Sequence, residues 1–183
     1  MNKAVFIDKD GTLIHDVPYN VNPTHIRLQD GAGPCLKNLK DRGYKLVVIS
    51  NQSGVAHGYF DEQSLTPVWE TLQTLLSPYA VTLDGFYYCP HHPRGTVIPY
   101  ATPCTCRKPM PGMLLKAAEE LDITLSASWM VGDILDDIEA GNKAGCRTIL
   151  INNGNETEWR AGPYREPTRH VKSFAEIANL IVT

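Results

Sequence analysis

Near its amino terminus the chain has an apolar run, residues 4–7, that ends in two aspartates one residue apart, Asp8 and Asp10. A short run rich in β-branched residues predicts a strand buried on both faces of a parallel sheet. Side chains alternate along a strand, so Asp8 and Asp10 are expected on one side and Lys9 on the other. Paired carboxylates at the carboxyl edge of such a sheet favour a bound Mg²⁺ that relieves their repulsion. An acidic turn that caps its own backbone is the simpler alternative.

The rest of the chain alternates between strand and helix patterns, which predicts βαβ units, a parallel sheet and an α/β fold. The length of 183 residues is that of a single domain, residues 1–183. Within the helix predicted at 62–77, Pro67 requires either a kink or a new start capped by Thr66. The polar segment 152–170 is expected to be a surface loop. We expect five strands, at 4–8, 45–50, 83–88, 129–131 and 148–151, and further helices at 33–42, 111–121, 135–143 and 173–181.

Polar side chains follow several of these strands, and parallel strands joined by right-handed crossovers place their carboxyl ends at one edge of the sheet. These side chains are Ser50 and Asn51 after the second strand, Asp133 with Asp136 and Asp137 after the fourth, and Arg107 and Lys108 before the helix at 111–121. Carboxylates for a cation, a hydroxyl group and two permanent positive charges together suit a phosphate ester. A carboxylate at this edge can attack phosphorus.

Three of the five cysteines and one histidine are close in the sequence, at Cys89, His91, Cys104 and Cys106. One imidazole and three thiolates are a closed tetrahedral ligand set for zinc, with no position left for a substrate. His92 is a rival for His91, and a group of loop residues without a metal is the alternative. The loop at 89–106 has no apolar core of its own, so a structural Zn²⁺ would supply its folding energy and fix the two cations that follow it.

Charge and composition argue against several classes of protein. The net charge of −3 gives no basis for binding nucleic acid or an acidic membrane surface. We expect a cytoplasmic protein, because no basic leader with an apolar stretch and no run of membrane-spanning length is found. In that compartment the five cysteines are not expected to form disulfides, which favours the metal interpretation. A monomer that acts on a small molecule is the simplest expectation.

The order of these motifs resembles the four-motif signature of the haloacid dehalogenase (HAD) superfamily of phosphatases. The motifs are Asp8-x-Asp10-Gly11-Thr12, Ser50-Asn51, Lys108 and Gly132-Asp133-x-x-x-Asp137. The resemblance covers residues 8–137 and implies a Rossmann-like HAD fold, with a mainly parallel five-stranded sheet between helices. It also implies that Asp137 holds a metal-bound water or Lys108 without contacting the metal itself.

Roles for the site residues follow from the same resemblance. Asp8 is implied to be the nucleophile that forms an aspartyl-phosphate, and Asp10 the general acid and then the general base. Mg²⁺ would be bound by the carboxylates of Asp8 and Asp133 and by the backbone carbonyl of Asp10. The residues implied to bind the phosphoryl group and the substrate around it are Ser50, Asn51 and Lys108.

Three longer stretches resemble a narrower family, the heptose 1,7-bisphosphate phosphatases. They are residues 51–58, 87–93 and 104–114. This family removes the C7 phosphate of D-glycero-D-manno-heptose 1,7-bisphosphate on a route to nucleotide-activated heptose and lipopolysaccharide, and its members lack a large cap domain. By this resemblance the zinc loop and the loop at 17–23, with Tyr19, shape the substrate site, and Arg107 contacts the rest of the sugar bisphosphate.

Departures from the family pattern leave the substrate open, and three other classes of protein are alternatives. Ile134 stands where the heptose enzymes often carry a lysine, and the loop around Tyr19 also differs, so the sugar and its anomer stay open. Histidinol-phosphate phosphatases share the zinc pattern and are the nearest alternative. A non-enzymatic zinc module would have no need of the carboxylates and Lys108. A phosphotransferring mutase would need a cap that excludes water, and no segment is long enough to form one.

Overall fold

The computed structural model describes residues 2–181, which contain one six-stranded sheet with every neighbouring pair of strands parallel. The strand order is β3-β2-β1-β4-β5-β6. The strands are β1 (Lys3–Asp8), β2 (Tyr44–Asn51), β3 (Gly85–Cys89), β4 (Trp129–Gly132), β5 (Arg147–Ile151) and β6 (Arg169–Val171). The α-helices are α1 (Ala32–Asp41), α2 (Gly54–His57), α3 (Leu65–Leu76), α4 (Gly112–Glu120), α5 (Leu135–Ala144) and α6 (Phe174–Leu180). The predicted α/β class is therefore confirmed.

Across the described residues the sheet has one strand more than the five predicted. The extra strand, β6, has three residues and pairs in parallel with β5. Only Val171 of these three is buried, so β6 carries no apolar run that a pattern of burial could reveal. It also begins within the segment 152–170, whose polar and turn-forming residues are typical of a loop. The predicted number of strands was wrong because β6 is stabilised by its pairing with β5 and has no apolar pattern of its own.

The apolar side chains of the sheet divide into two cores, one on each face. In β1, Val5 and Ile7 join the core that packs against α1, α3 and α6, while Ala4 and Phe6 join the core that packs against α4 and α5. This alternation is the period of two expected for a strand. Because helices cover both faces, the apolar residues of β1 and β2 are buried on either side, as their continuous apolar runs predict.

The helix predicted at 62–77 is a 3₁₀ turn, Glu62–Ser64, followed directly by α3. Asp61 caps this segment, since its carboxylate accepts a hydrogen bond from the backbone N–H of Ser64 at 3.0 Å. Pro67 is the third residue of α3, in the first turn, where a backbone N–H has no acceptor within the helix. Of the two alternatives for Pro67, a new start capped by Thr66 is wrong, because Thr66 already lies inside α3.

The order of the strands reverses at β1, which lies between β2 and β4. From β1 the chain builds the sheet outward through β2 and β3, and it then returns to add β4, β5 and β6 on the other side of β1. A crevice forms beyond the carboxyl ends of the strands where the direction reverses. The short helix α2 follows β2 at this edge. Residues 2–181 include no helix with the length and apolar character needed to cross a membrane.

Candidate active site

Asp8 ends β1 and is buried beside Lys108 and Asp137. The ammonium group of Lys108 forms an ion pair with Asp8 Oδ1 and lies 2.6 Å from Asp137 Oδ1. Burial raises the pKa of Asp8 to about 7, despite the opposing charge of Lys108, and Asp137 and Asp10 raise it further. Burial alone would lower the pKa of Lys108, but the Asp137 and Asp8 carboxylates raise it above its usual value. Lys108 is therefore a permanent cation in contact with Asp8.

Asp133 follows β4 and is fixed through both of its carboxylate oxygens. Thr12 Oγ1 donates a hydrogen bond to Asp133 Oδ1 at 2.8 Å, and Asn155 Nδ2 donates one to Asp133 Oδ2 at 2.6 Å. Burial raises the pKa of Asp133 to about 6, and the nearby charge of Asp8 adds to this shift. Gly11 (φ +86°) allows the two loops to approach, because a Cβ at Gly11 would lie 2.3 Å from Asp133 Oδ2.

The buried carboxylates have the chemistry of a site for a divalent cation. Oxygens of Asp8, Asp133 and Asp137 lie within 4.8 Å of one another. Among residues 2–181 one ammonium group, that of Lys108, contacts this cluster, so the fully ionised carboxylates would keep an uncompensated negative charge. Mg²⁺ prefers carboxylate oxygens and would neutralise that charge. The residues present therefore fit Mg²⁺, which Asp8 and Asp133 would bind while Lys108 holds Asp137.

Asp10 lies on the more open side of the crevice, with its side chain 32% exposed. Lys9 Nζ donates a hydrogen bond to Asp10 Oδ1 at 2.5 Å, and Gln52 Nε2 donates one to Asp10 Oδ2 at 3.1 Å. The expectation that Lys9 points away is wrong, because β1 ends at Asp8 and the following turn brings the buried Lys9 amine back to its neighbour. A partly exposed carboxyl group beside a buried one suits proton exchange with a leaving group and with water.

The end of β2 places Ser50 and Asn51 next to this cluster. Ser50 Oγ is buried and accepts a hydrogen bond from Gln52 Nε2 at 2.6 Å, so Gln52 connects Ser50 to Asp10. The amide of Asn51 holds the backbone of Lys108 at two points. Asn51 Nδ2 donates to the Lys108 carbonyl at 3.2 Å, and Asn51 Oδ1 accepts from the Lys108 N–H at 3.0 Å. Asn51 thus helps to place Lys108, and its contact with substrate stays a prediction.

The residues expected to bind zinc converge in the structure. They are Cys89, His91, Cys104 and Cys106, whose ligand atoms lie within 4.8 Å of one another. The Sγ of Cys104 lies 3.4 Å from the other two sulfurs, and His91 Nδ1 lies 3.4 Å from Cys106 Sγ. Cys89 Sγ and Cys106 Sγ are only 2.7 Å apart, whereas a tetrahedron of sulfur ligands about 2.3 Å from zinc has edges of ~3.8 Å. The donor set of three thiols and one imidazole fits zinc, and these two thiols would move apart around the ion. His92 lies outside the cluster, and His91 is the histidine that faces the thiols.

Aromatic and basic side chains line the mouth of the crevice. Tyr19 packs edge-on against Tyr59, with ring centroids 4.7 Å apart, and His57 stacks on the same Tyr59. A small cleft of about 110 Å³ lies between Tyr19 and Asp10. Among the described residues, no group accepts a hydrogen bond from the buried Nη1 of Arg107. A buried donor without a partner is costly, which makes Arg107 suited to an anionic part of a ligand.

Gln52 and Asn155 contact predicted site residues but were missed by the sequence analysis. Gln52 comes two residues after Ser50, and side chains two apart along a strand point to the same side. This spacing could have predicted that Gln52 lies beside Ser50 at the site. Asn155 comes 22 residues after Asp133 in sequence and reaches it only through the fold. Asparagine is common in surface loops for its turn-forming ability, so its type alone gives no sign of such a contact.

Comparisons with known proteins identify several similar phosphatases. Residues 105–177 match the model of a HAD-hydrolase-like family. The D-glycero-beta-D-manno-heptose-1,7-bisphosphate 7-phosphatase of Yersinia pestis is 41% identical over 152 residues, which are 82% of this chain and 81% of the relative. The enzyme of that name from Haemophilus ducreyi is 45% identical over 154 residues, 83% of this chain and 84% of the relative.

A solved structure extends the likeness to almost the whole chain. The crystal structure of D,D-heptose 1,7-bisphosphate phosphatase from B. bronchiseptica, complexed with magnesium and phosphate, matches with a TM-score of 0.79 at 28% sequence identity. The match covers 98% of this chain and 97% of that one. The predicted HAD architecture is therefore confirmed, with six strands in place of five.

Proposed function

The chain belongs to the family of the D-glycero-beta-D-manno-heptose-1,7-bisphosphate 7-phosphatases, and on this basis we propose that it hydrolyses the C7 phosphate of that sugar bisphosphate. The observation that carries the proposal is the buried cluster of Asp8, Asp133 and Lys108 at the switch point of the sheet, with Asp10 on its open side. The enzyme is a phosphoric monoester hydrolase whose product leads toward nucleotide-activated heptose.

Asp8 and Asp10 carry the two chemical steps. An oxygen of the Asp8 carboxylate bonds to phosphorus while the bond from phosphorus to the C7 oxygen breaks, which gives an aspartyl-phosphate. Asp10 donates its proton to the leaving C7 oxygen. In the second step Asp10 accepts a proton from water as the water oxygen bonds to phosphorus, and the bond to Asp8 breaks to release inorganic phosphate.

Lys108 and Ser50 bind the phosphoryl group during transfer. The ammonium group of Lys108, held by Asp137, neutralises charge on the phosphoryl oxygens. The hydroxyl of Ser50, near the end of β2, binds the same oxygens. Mg²⁺ held by Asp8, Asp133 and the Asp10 backbone carbonyl would offset the repulsion between carboxylate and phosphate. The magnesium and phosphate in the B. bronchiseptica complex support this assignment.

A structural Zn²⁺ would fix the loop that carries the cations of the crevice. Its proposed ligands are Cys89, His91, Cys104 and Cys106, whose convergence supports the assignment. The loop leads directly to Arg107 and Lys108, so a rigid loop would hold both cations in register with the carboxylates. Arg107 then contacts the part of the sugar bisphosphate that is not hydrolysed, and Tyr19 contacts it from the 17–23 loop.

We also propose that residues 1–183 form one HAD-type domain that works as a monomer in the cytoplasm. The continuous six-stranded sheet supports a single domain. The five cysteines are all unpaired, which fits a reducing compartment. The partner is then a free small molecule, with no role for nucleic acid or a membrane.

Initial rates of phosphate release with Mg²⁺ test the choice of substrate. The substrates are the α and β anomers of heptose 1,7-bisphosphate and histidinol phosphate. We expect the highest kcat/KM for the β anomer, because the relatives are named for it. Similar slow rates on all three would keep the phosphatase chemistry and reject the heptose assignment. That result would direct attention to Ile134, which stands where heptose enzymes often carry lysine.

A further inference from the structure

The loop between β5 and β6, residues 152–168, reaches the carboxylate cluster through Asn155. Asn155 lies on the surface of this loop, yet its Nδ2 donates a hydrogen bond to Asp133 Oδ2 at 2.6 Å. The other oxygen of Asp133 accepts from Thr12 at 2.8 Å. Two donors from different loops therefore fix the plane of the Asp133 carboxylate, which would rotate more freely if either donor were lost.

Asn155 is itself held in place by neighbours on both sides. Its backbone N–H donates to Asn153 Oδ1 at 3.1 Å, and Asn153 Nδ2 donates to the carbonyl of Gly11 at 2.8 Å. On the other side, Glu156 Oε2 accepts a hydrogen bond from the backbone N–H of Leu135 at 2.7 Å. The loop is thus bonded to the turn after Asp10 and to the start of α5, the two segments that flank the proposed metal ligands.

We propose that Asn155 is a positioning residue for the magnesium site, which it orients through Asp133. The proposal rests on the proposed function, because Asp133 is there a ligand of Mg²⁺. Groups that hydrogen-bond to metal ligands fix the direction of their lone pairs, and their removal costs roughly 10–100-fold in metal affinity. Asn155 bonds to Asp133 and contributes to Mg²⁺ binding without taking part in the bond changes at phosphorus.

The test compares Asn155→Ala with Asn152→Ala in the full chain. Asn152 is an exposed residue of the same type in the same loop, and among the described residues its side chain has no hydrogen-bond partner. Mg²⁺ affinity is measured without substrate, from the rise in unfolding temperature with MgCl₂ concentration and from isothermal titration calorimetry. The Mg²⁺ dependence of phosphate release is measured separately.

We expect Asn155→Ala to weaken Mg²⁺ binding roughly 10–100-fold, to leave the unfolding temperature without Mg²⁺ close to the parent value, and to regain rate as Mg²⁺ is raised. Asn152→Ala is expected to bind Mg²⁺ as the parent does. Unchanged or tighter Mg²⁺ binding in Asn155→Ala would overturn the proposal, and so would an equal loss in Asn152→Ala. Because affinity is measured without a sugar, a wrong substrate assignment would leave this result unaffected.

Discussion

At the scale of single residues, Asp8 and Asp10 are two residues apart but occupy different environments. Asp8 is buried and paired with the Lys108 ammonium group, whereas Asp10 is partly exposed and accepts hydrogen bonds from Lys9 and Gln52. Paired carboxyl groups take different parts in a reaction when their surroundings differ in this way. In the proposed reaction the contact with Lys108 suits Asp8 to attack on phosphorus, and the more open position of Asp10 suits it to exchange a proton with the leaving group and with water.

Replacing Asp8 with asparagine tests its part as nucleophile. We expect Asp8→Asn to lower kcat by roughly 10⁴-fold or more, because an amide does not attack phosphorus and the remaining groups act only with it. The fold is expected to persist, since Lys108 keeps its ion pair with Asp137. Circular dichroism checks the fold, and Asp30→Asn at an exposed position is the matched control. Appreciable turnover by clean Asp8→Asn would remove Asp8 from this role.

The affinity for Mg²⁺ is expected to fall as the pH is lowered. Mg²⁺ binds ionised carboxylates and so competes with protons on Asp8, with a pKa of about 7, and on Asp133, with a pKa of about 6. Both pKa values are raised by burial, so each group is protonated at a higher pH than an exposed aspartate. Above about pH 7 the affinity should level off, and below it each bound proton lowers affinity by up to about tenfold per pH unit.

Calorimetric titration with Mg²⁺ at a series of pH values from about 6 to 8 checks this expectation. Buffers with different ionisation enthalpies report the protons released on binding. An affinity that stays constant over this range would show that both carboxylates are already ionised without the cation.

The predicted site residues that the structure brings to one crevice share a local signal. Asp8, Ser50 and Asp133 each come directly after an apolar run at the carboxyl end of a strand, so the strand pattern predicts where they meet. Asn155 and Lys9 have no such signal. The contact of Asn155 with Asp133 depends on the path of a long loop, and the direction of Lys9 depends on the residue at which β1 ends. Neither is encoded in a pattern of a few residues.

At the scale of elements, the zinc loop is expected to need its metal for order. We predict that Cys106→Ser lowers bound zinc, loosens the loop and reduces activity, because the loop has no apolar core of its own and leads directly to Lys108. Zinc content by mass spectrometry and kcat are the measurements. Thr105→Ser, an exposed change between two of the thiols, is the matched control. Unchanged zinc and unchanged kcat in Cys106→Ser would contradict a structural metal.

Elements with strong internal patterns were predicted well, and short ones were not. The long helices α1, α3, α4 and α5 carry apolar stripes, and their predicted ranges agree with the structure within a few residues. The strand β6 and the four-residue helix α2 are too short to show a period. Their conformations are set by the strand or loop that they pack against. Tertiary contacts therefore determine the structure of these short segments, and the local sequence does not.

At the scale of the whole molecule, strand order explains why distant motifs form one site. The sheet reverses at β1, so the ends of β2 and β4 flank the end of β1 at a single crevice. The sequence predicts parallel strands with a common edge, but it does not specify which strands are neighbours. That order depends on how the connecting helices divide between the two faces of the sheet. At the site, the strand ends predicted from the sequence and the strand order seen in the structure bring the same residues together.

Phosphorus NMR during turnover of D-glycero-β-D-manno-heptose 1,7-bisphosphate tests the central claim most directly. The substrate has distinct phosphorus signals at C1 and C7, so the spectrum shows which ester is broken. We expect that with Mg²⁺ the C7 signal is replaced by that of inorganic phosphate while the C1 signal persists, and that the spectrum does not change with Asp8→Asn. Loss of the C1 signal first, or two intact signals with the folded, Mg²⁺-loaded enzyme, would contradict the assignment.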